Sequence, residues 1–129
     1  MRAIDTNVVV RFLIADDRTQ ADRAHAAILA GDIFIPTTVF LESEWVLRSA
    51  YRLAPIEISD AFRSLAGLPG VNVEDPALLA RALDAVATGF DFADALHLGK
   101  ADGCSAFLTF DRQLAKRAHR YLEMSVAEP

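Results

Sequence analysis

A chain of 129 residues that is 53% hydrophobic can build one core, and at this size folding buries roughly two-thirds of the surface the unfolded chain exposes. No apolar run approaches the ~20 residues that span a bilayer, the N-terminus lacks the pattern of a secretory signal, and a single cysteine excludes a disulfide framework or a cysteine metal cluster. The formal charge of −5 argues mildly against a nucleic-acid partner, so any phosphate-binding role needs local or imported positive charge. A single domain over residues 1–129 and a cytoplasmic location are the expectations.

In chain order, "RAI" reads as a short strand and "TNVVVRFLI" as a helix. "ADDRTQADRAHAAILAG" gives a turn and an alanine-rich helix that Gly31 ends. "DIFIP" is a strand closed by Pro36, with Thr37 or Thr38 placed to cap the helix "VFLESEWVLRSAYRL". Pro55 breaks that helix before "IEISDAFRSLAGL", and "GVNV" is a short strand. Asp75 and Pro76 then start a helix that Gly89 stops. A short helix "DFADALHLGKA", the strand "SAFLTF", a basic helix "DRQLAKRAHR" and a last strand "YLEMSV" complete the order. Strands alternating with helices predict a three-layer α/β/α fold around a parallel sheet of about five strands, with the first strand at its centre. Cys104 is expected to be an inert strand residue, and Trp45 and Phe62 to be packing residues.

In open parallel sheets, sites form beyond the carboxyl ends of strands. Asp5 and Asp111 hold such positions, although an acid at a strand-to-helix junction often serves only as a cap. Glu42 falls between Trp45 and Val46 and near Val39 on a helical projection, which predicts a carboxylate on an apolar face. Glu44 and Arg48 lie four apart on the polar side and can pair in the surface manner. In "DFADAL", Asp91 reads as the cap, while Asp94 shares a face with Leu98 and Ala101 and so points inward. Thr6 and Asn7 are available to cap the first helix.

If Asp5, Glu42, Asp94 and Asp111 converge, they must take up protons or a cation, because two carboxylates about 5 Å apart repel by roughly 3 kcal/mol at an effective dielectric of about 20. Oxygen ligands alone select a hard ion, Mg²⁺ or Mn²⁺. His25, His97 and His119 are scattered and read as surface or partly buried helix residues. Such a site suits phosphodiester hydrolysis, since the ion offsets phosphate charge and lowers the pKa of water. Arg112, Lys116, Arg117 and Arg120 crowd the segment after Asp111, and Arg11, Arg48, Arg52 and Lys100 follow the other candidate elements. The ordinary reading of such a basic run is a solvated helix face.

The stretches "DTNVVVRFL", "FLESEWVL", "DFADALHL" and "LTFDR", in that order, resemble the PIN-domain ribonucleases, and more narrowly the VapC-type toxins of bacterial toxin–antitoxin pairs. The resemblance covers essentially the whole chain. It implies that Asp5, Glu42, Asp94 and Asp111 hold Mg²⁺ or Mn²⁺ and cut RNA, that Asn7 and Thr109 orient those acids, and that the chain forms a homodimer with a VapB-like antitoxin. Arg11, Arg112, Lys116 and Arg117 are candidate RNA contacts. The antitoxin would suit an apolar surface left by "VFLESEWVLRSAYRL" and "IEISDAFRSLAGL". Two other classes remain open: a PIN-like scaffold that binds without cutting, and a signalling receiver with Asp75 as phosphoacceptor. The receiver lacks the adjacent acids expected after the first strand, and a carboxylate-nucleophile phosphatase lacks a second acid two residues beyond Asp5.

Overall fold

A computed structural model describes residues 1–119 and 124–129. The chain divides into two compact units, Met1–Leu79 and Ala80–Pro129.

In the first unit, β1 (Arg2–Ala3), β2 (Ile33–Ile35) and β3 (Val71–Val73) form a parallel three-stranded sheet in the order β1-β2-β3. β2, not β1, is therefore the central strand of that sheet. Ile33 and Ile35, which share one face of β2, are fully buried, and Phe34 on the opposite face is half-buried. The connecting helices are α1 (Thr6–Leu13), α2 (Arg18–Leu29), α3 (Thr37–Ser49) and α4 (Pro55–Ala66). α1 packs on α2 and α3, and α3 packs on α4. Phe40 of α3 and Phe62 of α4 meet edge to face, ring centroids 5.1 Å apart, so Phe62 is a core residue.

Local chemistry sets the boundaries. Gly31 ends α2 with a φ of +81°, and Arg2 donates to the Ala27 and Gly31 carbonyls at 2.9 and 2.8 Å, satisfying groups that the helix end leaves open. Gly70 also has positive φ, and a Cβ there would lie 2.7 Å from the Gly31 Cα, so the chain can enter β3 only with glycine. α3 begins at Thr37 with Pro36 as N-cap and no cap from its own residues. The donor at Thr37 is instead accepted by the Glu74 carboxylate at 2.9 Å, a long-range cap supplied from beyond β3.

α5 (Pro76–Ala87) is capped by Asp75, which accepts from the Leu78 amide. The second unit contains α6 (Phe92–Lys100), β4 (Ala106–Leu108), α7 (Arg112–Ala118) and β5 (Ser125–Ala127). β4 and β5 pair in parallel. The expected parallel strands are thus present as a three-stranded and a two-stranded sheet. Residues 121–123 of the predicted last strand, and Arg120 of the basic run, lie outside the described residues. Cys104 is exposed and precedes β4 rather than lying in it. His25, His97 and His119 are all exposed. Among the described residues, no helix is long and apolar enough to cross a membrane.

Candidate metal centre

Asp5 follows β1 and is the N-cap of α1, its Oδ1 accepting from the Val8 amide at 3.1 Å. The cap is thus Asp5 itself, and Thr6 is buried. One carboxylate oxygen suffices for this cap, which leaves Oδ2 available. Asp5 and Asn7 line a cleft of about 440 Å³ in the first unit, together with Arg11 of α1 and Gln20 and Arg23 of α2. Arg11 is braced there: Nε donates to Gln20 Oε1 at 2.7 Å, and Nη1 donates to Asp16 at 3.1 Å and to the Tyr51 hydroxyl at 3.2 Å. Tyr51 in turn donates to Asp16 at 2.9 Å. The Tyr51 hydroxyl and, secondarily, Arg11 hold Asp16 below the usual carboxylate range.

Glu42 corrects the helical projection. It is exposed, while the buried residues of α3 are Phe40, Ser43, Glu44 and Leu47. Trp45, beside it on the projection, is 60% exposed and is not a packing residue. The physical reason is that α3 turns its Phe40–Leu47 edge to the core, which leaves Val39 and Val46 beside Glu42 only half-buried and Trp45 exposed. Glu44, read as a surface acid, is only 7% exposed. Its pairing with Arg48 does occur, at 2.9 and 3.4 Å, but with the carboxylate largely removed from water.

In the second unit, Asp91 caps α6 by accepting from the Asp94 amide at 3.0 Å. Asp94 is half-buried on the turn that follows, with Leu98 of the same face fully buried. Asp111 caps α7, its Oδ1 accepting from the Gln113 and Leu114 amides at 3.0 Å, and its own amide donates to Thr109 Oγ1 at 3.0 Å. Asp91, Asp94 and Asp111 share a pocket of about 390 Å³ with Arg117, whose guanidinium donates to the Gly89 carbonyl. Burial raises the Asp94 carboxyl above its ordinary value, the charges of Asp91 and Asp111 raise it further, and His97 opposes them. A carboxylate under that pressure is relieved by a proton or by a cation.

The structure therefore brings Asp94 and Asp111 together in one pocket and Asp5, Asn7 and Arg11 together in another cleft; Glu42 lines neither. Among the described residues, no three His, Cys, Asp or Glu side chains are drawn together tightly enough to hold a metal ion. Of the basic candidates, Arg112 pairs with Glu128 at 3.1 Å in an exposed ion pair, and Lys116 is exposed on α7. Arg23, Gln20 and the Asp16–Tyr51 pair belong to the Asp5 cleft and its bracing without forming a motif in the sequence. The spacing of 20, 23, 24 and 27 on one helix face was the signal for the first two.

A model of the PIN domain matches residues 3–120. The chain belongs to the PIN-domain family. PIN domains have a nuclease-type fold, act generally as nucleases and typically use divalent metal ions. No curated protein matches the sequence. The donor set fits that chemistry in kind: Asp94 and Asp111 offer hard carboxylate oxygens, and the like charge around Asp94 is what a hard cation would neutralise.

Proposed function

We propose that this PIN domain is a Mg²⁺- or Mn²⁺-dependent endoribonuclease and the toxin of a VapBC-type toxin–antitoxin pair, restraining translation or growth. The observation that carries the reading is the pocket where Asp94, raised by burial and by Asp91 and Asp111, sits beside Asp111 and Arg117. In this reading Asp5, Glu42, Asp94 and Asp111 are the metal ligands, and Asn7 and Thr109 orient them. When bound, the ion would supply Lewis acidity toward phosphate and water. The chain's own contribution is to fix the acids through their caps: Asp5 and Asp111 each engage backbone donors with one oxygen, which sets the carboxylate orientation. One carboxylate takes up the proton released by the attacking water. Arg11, Arg112, Lys116 and Arg117 are the proposed RNA contacts, and residues 1–129 act as one domain in the cytoplasm.

The toxin reading adds a homodimer and a VapB-like antitoxin. It is supported by Trp45 of α3 and Ile56 of α4, which are 60% and 63% exposed on the helices expected to offer an apolar surface. Incubating the full chain with a single-stranded oligoribonucleotide tests the activity. Cleavage in Mn²⁺ that stops in EDTA and is lost in both Asp5→Asn and Asp94→Asn is the expected result, and full activity of both variants would overturn it.

The alternative is a PIN scaffold that binds RNA or protein without cutting. Binding of the oligoribonucleotide with no cleavage in Mn²⁺ would favour it.

A further inference from the structure

The cleft of the first unit holds more polar chemistry than a metal ligand and its neighbours require. Its α2 wall is made by Gln20, Arg23, Ala24 and Ala27, two polar side chains among two small ones. Arg11 fixes the chemistry of Gln20. A guanidinium only donates, so the oxygen of Gln20 must face Arg11 Nε, and the amide nitrogen is left to donate elsewhere. Arg11 itself is compensated by Asp16. Arg23 is exposed and enters no ion pair among the described residues. The cleft, which Asp5 itself lines, thus offers on its α2 side a guanidinium that enters no ion pair among the described residues and an amide donor, while the chain as a whole carries a charge of −5. Such a wall fits an anionic ligand that only accepts, and a phosphodiester has that character.

We propose that Arg23, with the Gln20 amide, binds the phosphodiester that neighbours the one cut, in a subsite on the α2 side of Asp5. The inference rests on the nuclease reading of Asp5. Arg23 is then a substrate-binding residue that sets affinity and register along the strand and takes no part in the bond cleavage. Each phosphate contact on a single strand adds about 0.7 to the slope of log affinity against log salt. Arg18, at the start of the same helix and outside the cleft, is the internal control.

The test is steady-state cleavage of a fluorescent single-stranded oligoribonucleotide in Mn²⁺ at several salt concentrations, with the full chain carrying Arg23→Ala, Arg23→Lys or Arg18→Ala. Arg23→Ala is expected to raise KM about tenfold, to leave kcat within about twofold, and to lower the salt slope by about 0.7. Arg23→Lys should keep the slope and regain part of the affinity, and Arg18→Ala should match the wild type. Unchanged KM and slope in Arg23→Ala would overturn the subsite while leaving the nuclease reading intact. So would an equal effect of Arg18→Ala, or an Arg23-dependent affinity for an acidic peptide with RNA kinetics unaltered. A wild type that cuts no RNA in Mn²⁺ would overturn both.

Discussion

Asp16 in the first unit and Asp94 in the second are both aspartates near a helix start, yet their protons are held in opposite senses. Asp16 receives the Tyr51 hydroxyl and the Arg11 guanidinium, and its carboxyl is held low. Asp94 is partly buried and faces Asp91 and Asp111, and its carboxyl is held high. The first acid is a completed structural contact. The second is pressed by like charges that His97 only partly offsets, which is the physical signature expected of a ligand rather than a brace.

The sharpest way to break that contrast is Asp94→Asn. Cleavage should fall at least about 100-fold, since a ligand that positions a Lewis acid is worth several kcal/mol of transition-state stabilisation. In metal-free buffer the variant should be no less stable than the wild type. Asp94 has a raised folded-state pKa, so its contribution to stability is present below the ordinary carboxylate value and declines as pH rises through the raised one. Thermal melts beside the cleavage assay check both halves. A destabilised Asp94→Asn would mean that the carboxylate serves the fold.

Glu44 provides an intermediate case, a buried carboxylate whose cation is present. Arg48→Ala should cost about 1–3 kcal/mol in denaturant unfolding, between the value of an exposed helix pair and that of a fully buried one. Asp5 separates cap from ligand. Asp5→Ala should lose about 1 kcal/mol with the cap, whereas Asp5→Asn keeps the cap and should still lose cleavage. Unfolding curves and initial rates for the two variants distinguish these roles. The smallest effect is at Asp16. Its lowered carboxyl contributes stability above the ordinary value that is lost as pH falls through the folded-state one, so wild-type melting temperature should drop on the acid side of about pH 4. Tyr51→Phe should flatten that acid limb by lowering the neutral melting temperature slightly while leaving the acid one nearly unchanged.

The element order and the parallel pairing were legible because glycines, prolines and short acids punctuate the chain: Gly31 ends α2, and Asp5, Asp75, Asp91 and Asp111 cap helices where their positions suggested. The cap of α3 was not legible. Its acceptor is Glu74, 37 residues away in sequence, and no local pattern reports such a contact. Burial on α3 was misjudged because Trp45 and Val46 look like core residues on a projection, although the face that packs carries Glu44, whose charge Arg48 covers. At the candidate site, the inward placement of Asp94 follows from its face-mates and the like charge of Asp91 is local, but the pressure from Asp111 depends on chain folding between α6 and α7. The cleft wall of Gln20 and Arg23 was missed because both residues read as an ordinary solvated helix face.

The contrast between the two aspartates turns most directly on whether Asp94 helps to bind a divalent ion. Titration calorimetry of the metal-free full chain with MnCl₂ should show binding that weakens at least about tenfold in Asp94→Asn, without loss of fold. Equal affinity of the two proteins, or no binding by the wild type, would contradict it.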